Sequence, residues 1–238
     1  MHIMEGSLPS PWWQIWTVLA LIVLVYGIYK LNKLVKNNKE LLPLLAVTGA
    51  FIFVLSCLKL PSVTGSCSHP TGAGLSAIMF GPAITAVVGF IVLTFQALLL
   101  AHGGVTTLGA NLFSMGIFGP FIGWGLFILL KKAKVHIYAS VFLAAAVSDL
   151  ATYVLTAFQL AIGQAYDIAG GFGGSFVPLL TDLCTTFLGI FAVTQLPLAI
   201  LEGLVLTVAF KYIVKAKGEL IVALGVIDEE QLENIRSN

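Results

Sequence analysis

Two histidines lie in segments from which a transition metal could be bound: His2, in the opening stretch MHIMEG, and His69, in GSCSHPTGAG. The Met1 amine and the His2 amide nitrogen close a five-membered chelate ring around an ion. The same amide nitrogen and His2 Nδ1 close a six-membered ring. Once the amide proton is lost, the three nitrogens are nearly coplanar, which favours late first-row divalent ions. One position in the plane remains, and His69 is the candidate to fill it.

Polar residues in two segments are candidates to support this site. Ser68 adjoins His69, and the stretch AHGGVTTLGAN contains His102, Thr107 and Asn111. Side chains of these kinds orient a metal-bound imidazole through hydrogen bonds. The alternative is structural, with Asn111 as a helix cap and His102 as an interface residue.

The histidines and cysteines also have ordinary interpretations. A histidine at the second position is often a terminal residue without a role in any site, and His136, beside the basic stretch KKAK, is interpreted as interfacial. The three cysteines, Cys57, Cys67 and Cys184, are widely spaced and form no CxxC pair, so neither a zinc site nor a disulfide framework is indicated. Because four nitrogens already fill the plane, Cys67 is expected not to touch the metal.

The composition is that of a polytopic membrane protein. Of 238 residues, 58% are hydrophobic and only 10% are charged, whereas soluble domains are about a quarter charged. A net charge of +1 does not indicate nucleic-acid binding. Residues 1–11 contain no lysine or arginine. They therefore lack the basic start of a secretory signal, and we expect them to be retained with a free Met1 amine.

Apolar stretches of roughly 20 residues predict the membrane spans. The sequence FGP at 80–82 divides the long stretch 72–101, because Pro82 disfavours helical geometry before it and begins a new helix. The last stretch is interrupted at TQLP (194–197) and counted as one broken crossing, which leaves open whether it is one helix or two. The prediction is an all-α polytopic bundle of about seven transmembrane helices, at 12–30, 41–59, 72–80, 82–101, 109–130, 135–162 and 177–214.

Basic clusters orient the predicted bundle. The stretches KLNKLVKNNK, KKAK and KYIVKAK each adjoin the end of a predicted span, and the positive-inside rule assigns all three to the cytoplasm. The N-terminal segment 1–11 is then extracellular, together with the loops that carry His69 and His102. The prediction is a single transmembrane domain over 1–217 and a cytoplasmic tail over 218–238.

Three acidic residues, Asp149, Asp182 and Glu202, lie within predicted spans. Because charges are costly inside a membrane, such residues indicate function by default, here a proton relay. The favoured interpretation is that they form buried polar contacts that fix helix packing. Glutamines in the same helices are available as partners: Gln96, Gln159 and Gln195.

Four stretches resemble one known family: MHIMEG, LPSVTGSCSHPTGAGLSAIMFGPAITAV (60–87), FQALLLAHGGVTTLGANLFSM (95–115) and FAVTQLPLAILEGL (191–204). They resemble the CbiM/NikM family, the substrate-capture (S) subunits of energy-coupling-factor transporters for cobalt and nickel, and are closer to the cobalt branch. The resemblance implies a six-helix core with one extra N-terminal helix. It also implies a metal held by the Met1 amine, the His2 amide and ring, and a histidine matching His69, with the N-terminal segment inserted into the bundle from outside.

The resemblance further implies partners in the cell (inner) membrane. The chain has no GxxxxGK[ST] phosphate-binding loop, so it is not expected to be an enzyme or to drive uptake with ATP itself. The implied partners are a transmembrane coupling (T) subunit, two ATPase (A) subunits and a small accessory membrane subunit. The implied substrate is Co²⁺, used for cobalamin synthesis, with Ni²⁺ as the near alternative. The competing hypotheses are a stand-alone secondary transporter that uses the intramembrane acids and a membrane scaffold in which His2 is incidental.

Overall fold

The computed structural model describes residues 2–61 and 66–237, which form a helical bundle with a small β-sheet at one end. The helices are α1 (Trp12–Asn37), α2 (Leu41–Cys57), α3 (Ala73–Phe80), α4 (Pro82–Leu100), α5 (Leu108–Asn111), α6 (Gly119–Lys132), α7 (Ile137–Ala169), α8 (Phe176–Ala223) and α9 (Glu229–Ser237). A π-helical segment, Leu112–Phe118, joins α5 to α6. The strands β1 (His2–Ile3), β2 (Leu60–Pro61) and β3 (Ser66–Ser68) form one antiparallel sheet in the order β1-β3-β2.

Five helical stretches of the described chain are long and apolar enough to cross a membrane: α1, α4, the combined stretch Leu108–Lys132, α7 and α8. The helix α2, with 17 residues, is a shorter apolar helix. These elements confirm the predicted all-α polytopic class, and together with α3 they match the seven predicted spans in order.

The predicted break at FGP is confirmed. The helix α3 ends at Phe80 and α4 begins at Pro82. Between them, Gly81 has φ 81° and ψ 162°, a backbone conformation essentially restricted to glycine. Pro82 then occupies the first helical position, where its missing N–H costs no hydrogen bond. The chain therefore turns at this point and forms two helices from one apolar stretch.

The predicted interruption at TQLP is wrong. The helix α8 continues through Pro197, and its non-helical backbone lies at Lys217, with φ −139° and ψ 39°. A proline inside a membrane helix is tolerated where the surroundings satisfy the freed backbone group. The break instead lies at the start of the predicted tail. The assignment of 218–238 to the cytoplasm stays a prediction.

Helix α7 packs against both α6 and α8. On α6, a Cβ added at Gly119 would collide with the Thr152 side chain, and one at Gly123 would lie 2.6 Å from Ser148 Cβ. Small residues of this kind let membrane helices approach closely. The close contact fixes α7 against the helical unit that carries Asn111 and the π-helical segment.

The N-terminal segment is anchored by apolar side chains. Ile3 and Leu8 are buried and belong to a cluster with Trp12, Tyr153 and Leu160. Leu8 lies against α7 so closely that a Cβ at Gly163 would come within 2.7 Å of Leu8 Cδ1. Ile3 and Leu8 therefore anchor the N-terminal segment to one end of the bundle, which positions His2.

Candidate metal centre

Pairing between β1 and β3 sets the direction of the His2 side chain. His2 is directly opposite Cys67 in the antiparallel ladder, and Ile3 is opposite Ser66. Directly opposed residues project from the same face of a sheet. Since side chains alternate along a strand, His2 and Cys67 share one face and Ile3 projects from the other, into the apolar cluster.

Four side chains with metal-binding atoms converge beside this sheet. His2, Cys67, His69 and His102 each offer one ligand atom, and these atoms all lie within 4.8 Å of one another. All four residues are buried. Imidazole nitrogen and thiol sulfur suit late transition metals rather than Mg²⁺ or Ca²⁺. The group has the composition of a transition-metal site.

The backbone fixes the tautomer of His69. Its Nδ1 lies 2.8 Å from the carbonyl oxygen of Pro70, and only an N–H can donate to that oxygen. A neutral His69 therefore presents the lone pair of Nε2, which lies 2.6 Å from His2 Nδ1. A hydrogen bond from the remote ring nitrogen to a backbone carbonyl is a common way to orient a metal-binding histidine.

The side chain of Gln96 lies beside the ring of His2. His2 Nε2 and Gln96 Oε1 are both buried without a hydrogen-bond partner among the described residues, yet the two side chains interact. The 2.6 Å contact between His2 Nδ1 and His69 Nε2 needs one proton, and because His69 Nε2 is the acceptor, His2 Nδ1–H donates to it. A metal ion bound by these two nitrogens would take the place of that proton.

Burial keeps the imidazoles neutral. It is the main cause that lowers the pKa of His2 and of His69 well below the usual value, and the neighbouring imidazoles lower both further. Burial also lowers the pKa of His102 to about 4. Neutral imidazole is the form that binds a metal ion. The three imidazoles are therefore uncharged at neutral pH and do not repel a cation.

Two polar side chains of the AHGGVTTLGAN stretch hold β1 in place. Asn111 Oδ1 accepts a hydrogen bond from Ile3 N at 2.7 Å, and Asn111 Nδ2 donates to Ile3 O at 3.0 Å. Thr107 Oγ1 donates to the same carbonyl at 2.8 Å. Asn111 thus satisfies the backbone of the residue after His2, much as a neighbouring strand would.

Two glycines make room for the N-terminal segment. A Cβ at Gly103, which has φ +79°, would lie 3.0 Å from His2 Cδ2 and 3.0 Å from Asn111 Nδ2. A Cβ at Gly104 would overlap Glu5. The Glu5 carboxylate accepts hydrogen bonds from the Thr106 hydroxyl and from Thr106 N, and these bonds lower its pKa. The segment therefore lies directly on the backbone of this loop.

Two buried acids, Asp149 and Glu202, help to hold the loop that carries His69. The Glu202 carboxylate accepts hydrogen bonds from Thr71 N, from Thr71 Oγ1 at 2.9 Å and from Gly72 N at 3.0 Å. Gln195 Nε2 donates to Asp149 Oδ2 at 2.5 Å and to His69 O at 3.3 Å. Helices α7 and α8 thus fix the loop that carries His69. Asp182, in contrast, is exposed on α8.

The structure brings most of the predicted site residues together. His2, His69, His102, Thr107 and Asn111 meet as described above. Ser68 alternates with Cys67 along β3 and is hydrogen-bonded to Thr194 on α8 at 2.8 Å, so it supports the strand rather than the metal-binding face. The predicted Met1 ligand lies outside the described residues.

That Cys67 does not touch the metal stays a prediction, and two glycines were missed. The sulfur of Cys67 lies 3.1 Å from His102 Nε2, inside the donor group. The two-residue spacing of Cys67 and His69 was an available signal, because an extended chain directs such residues to the same side, although β3 itself ends at Ser68. Gly103 and Gly104 gave no comparable signal, since the segment that needs their space is remote in sequence.

A polytopic α-helical bundle with a buried histidine and cysteine group at one end defines a membrane protein equipped to hold a transition-metal ion. The chain matches the family described as cobalt uptake substrate-specific transmembrane region, CbiM, over residues 2–220. It therefore belongs to the CbiM family.

Individual relatives agree with this assignment. A relative from Methanosphaerula palustris is 54% identical over 236 residues, covering 99% of this chain and 97% of the relative. The cobalt transport protein CbiM of Chlorobium limicola is 51% identical over 230 residues, covering 97% of this chain and 87% of the relative. The crystal structure of a truncated transition metal transporter superposes with a TM-score of 0.77 at 27% identity, covering 91% of this chain and 99% of that one.

Proposed function

We propose that this protein is the substrate-capture (S) subunit of an energy-coupling-factor importer and binds Co²⁺ on the extracellular side, with Ni²⁺ as the near alternative. The observation that carries the proposal is the 2.6 Å approach of His2 Nδ1 to His69 Nε2, where both side chains are buried. Two neutral imidazoles at that separation present adjacent donors to a single cation. Family membership supports cobalt as the substrate.

The proposed ligand set has four nitrogens. Met1 contributes its amine, His2 its amide nitrogen and Nδ1, and His69 its Nε2. Chelation by adjacent atoms of one chain removes most of the entropy cost of assembling these ligands. The contacts of Asn111 and Thr107 with the backbone of Ile3 support this arrangement, because they hold the residue that follows His2.

Family membership favours cobalt as the substrate, whereas the planar geometry of four nitrogen ligands does not. Planar nitrogen ligation suits nickel and copper, and copper binds most tightly in the Irving–Williams order. The relatives named above are cobalt transport proteins or belong to the same cobalt-uptake family. Competitive titration of the purified protein with Co²⁺ and Ni²⁺ measures the preference directly.

The energy source is proposed to lie in partner proteins. A transmembrane coupling subunit, two ATPase subunits and a small accessory membrane subunit complete the importer, and the imported Co²⁺ serves cobalamin synthesis. The N-terminus then lies outside the cell membrane and the C-terminus in the cytoplasm. The basic clusters that flank the apolar stretches support this orientation.

The contacts of the acids argue against a stand-alone proton-coupled transporter. Asp149 is bonded to Gln195, and Glu202 is bonded to the backbone of the His69 loop. Both acids thus have structural partners, as expected for groups that fix helix packing. Metal uptake into vesicles by the purified chain alone, abolished by an uncoupler, is the result that favours the secondary transporter instead.

One added residue tests the ligand set. A glycine placed before Met1 keeps every side chain and moves only the amine, so Co²⁺ affinity in detergent is expected to fall by far more than tenfold, or about 1.4 kcal/mol. The matched control is a glycine added after Asn238, at the opposite end of the chain, which is expected to leave affinity unchanged. An affinity within tenfold of the unextended protein contradicts the amine chelate.

A further inference from the structure

The π-helical segment Leu112–Phe118 lies directly after Asn111. This form is rare in proteins and, where it interrupts an α-helix, is found frequently at functional sites. Its wide turn shows in the bond that Gly119 N donates to Ser114 O, the fifth residue before it rather than the fourth. The helical unit Leu108–Lys132 thus contains one residue more than a continuous α-helix with the same number of turns.

The extra residue sets the direction in which Asn111 points. Gly119 and Gly123 face α7, because a Cβ on either would lie 2.6 Å from an atom of Ser148. In a continuous α-helix, the eight residues from Asn111 to Gly119 turn the chain about 80° beyond two full turns. Because the wide turn absorbs one residue, they end within about 20° of two full turns. Asn111 therefore lies on the side of the two glycines, toward α7 and toward β1, which contacts both α5 and α7.

Side chains of α7 stabilise the π-helical hydrogen bonding. Gln159 Nε2 donates to Ala110 O at 3.1 Å. Thr152 Oγ1 donates to Ser114 O at 3.3 Å, and Ser114 Oγ is shared between Ala110 O and Asn111 O at 3.2 and 3.3 Å. Backbone carbonyls within a membrane must be satisfied inside the protein. In a continuous α-helix the backbone alone would satisfy these carbonyls, so the π-helical form depends on α7 and the α-helical form does not.

We propose that the π-helical segment is a switch that opens the N-terminal side of the metal centre when it converts to α-helical hydrogen bonding. The conversion turns Asn111 by about 100°, the rotation of one residue, and breaks both of its bonds to Ile3. Thr107 precedes the same segment and moves with it, so its bond to Ile3 O is also lost. With β1 released, His2 leaves the donor group. This inference rests on the proposed function, because it assigns the release step to the captured ion.

Contacts of α7 couple the switch to the rest of the bundle. The helix packs against both α6 and α8, and its side chains Gln159 and Thr152 hold the π-helical form. A movement of α7 that withdraws these two side chains favours the α-helical form. The switch is thus a two-state element that α7 biases from outside the donor group, which is the physical requirement for coupling between distant parts of a protein.

Deletion of Gly116 tests the switch. It removes the extra residue and no side chain, so the resulting continuous α-helix keeps Asn111 facing β1 and has no second state. Hydrogen exchange of the Ile3 amide, which donates to Asn111, reports local opening. It is read by mass spectrometry of the N-terminal peptide, from the metal-free full chain in detergent. Exchange in the deletion variant is expected to be at least about tenfold slower than in the unaltered protein, and Co²⁺ dissociation is expected to slow with it.

Thr152→Val tests the opposite direction. The variant loses the hydroxyl that donates to Ser114 O, so the π-helical form is weakened and exchange of the Ile3 amide is expected to be about threefold faster or more. The matched control is Thr94→Val, which loses only a bond to Phe90 O of its own helix. The control is expected to exchange at the rate of the unaltered protein.

The outcomes separate the switch from the proposed function, because hydrogen exchange is measured without metal. Equal exchange in the Gly116 deletion and the unaltered protein overturns the switch and leaves metal capture standing. Exchange no faster in Thr152→Val than in Thr94→Val also overturns it, and this comparison decides if the deletion variant does not fold. Slower exchange in the deletion variant of a protein that binds no Co²⁺ overturns the proposed function and leaves the opening of the N-terminal segment standing.

Discussion

Asn111 binds both backbone groups of Ile3, accepting from its N–H at 2.7 Å and donating to its carbonyl at 3.0 Å. The two bonds hold the residue next to His2 from a position 108 residues away in the chain. Loss of such a supporting residue costs about 10- to 100-fold in metal affinity. We therefore expect Asn111→Ala to weaken Co²⁺ binding by that factor, measured by calorimetric titration in detergent.

The control for this variant is Thr185→Ala, because Thr185 is exposed on α8 and bonds only within its own helix. The intermediate variant Asn111→Asp keeps the acceptor for Ile3 N and loses the donor to Ile3 O. Its affinity is expected to lie between those of the unaltered protein and Asn111→Ala. Unchanged affinity in Asn111→Ala would show that β1 is held without this bridge.

Gly103, which lies against the ring of His2, gives a second prediction. A methyl group at Gly103 meets His2 Cδ2 at 3.0 Å, and the φ of +79° strains any other residue. Gly103→Ala is therefore expected to displace the imidazole and reduce Co²⁺ affinity by at least about tenfold, since small misplacements of ligands are costly. Gly125→Ala, at a glycine of α6 with open space around it, is the control. Equal affinities for the two variants would contradict the close contact.

The hydrogen bonds that Glu202 accepts from Thr71 and Gly72, in the loop after His69, give a third prediction. Glu202→Gln replaces one acceptor oxygen by an N–H₂ group that faces the donors of Thr71 and Gly72. Leaving buried donors unpaired costs about 1–3 kcal/mol, so thermal stability and Co²⁺ affinity are both expected to fall. Asp182→Asn, an exposed substitution on the same helix, is the control. A variant as stable as the unaltered protein would mean that the loop is held by other contacts.

Acid is expected to destabilise the metal-free protein. Burial lowers the pKa of His2 and His69, and lowers that of His102 to about 4, whereas in the unfolded chain each is about 6.5. Below pH 6.5 the unfolded chain therefore binds more protons, which favours unfolding as pH falls. The apparent melting temperature in detergent is expected to drop between about pH 7 and pH 5.

The exposed His136 provides the comparison for this pH dependence. His136→Asn is expected to leave the slope of melting temperature against pH unchanged, while His102→Asn is expected to reduce it. A melting temperature that rises on acidification in the unaltered protein would contradict the neutral, buried state of these histidines.

Local sequence signals were enough to predict much of the fold. Apolar length and the dipeptide Gly81–Pro82 were enough to divide the bundle correctly, because helix length and proline geometry are local properties. The prediction of a break at TQLP was wrong because it, too, used only the local sequence. Whether Pro197 breaks a helix depends on its neighbours in the bundle, which the local sequence does not describe.

The site was predictable only in part. The chemistry of His2 and His69 followed from residue type, and both lie in the donor group. The place of Cys67 depended on the register between β1 and β3, and the roles of Gly103 and Glu202 depended on which distant segments approach them. Such pairings are set by tertiary contacts and not by local pattern.

Docking of the N-terminal segment sets an order of events during synthesis. His2 meets a partner 67 residues later in the chain, and Ile3 one that is 108 residues later. Leu8 must wait longer still, for the part of α7 around Gly163. The first residues of the described chain therefore wait for segments around positions 69, 111 and 163, and contacts between residues so far apart in sequence form slowly. The donor group of His2, Cys67, His69 and His102 thus cannot assemble before the first 102 residues have been made.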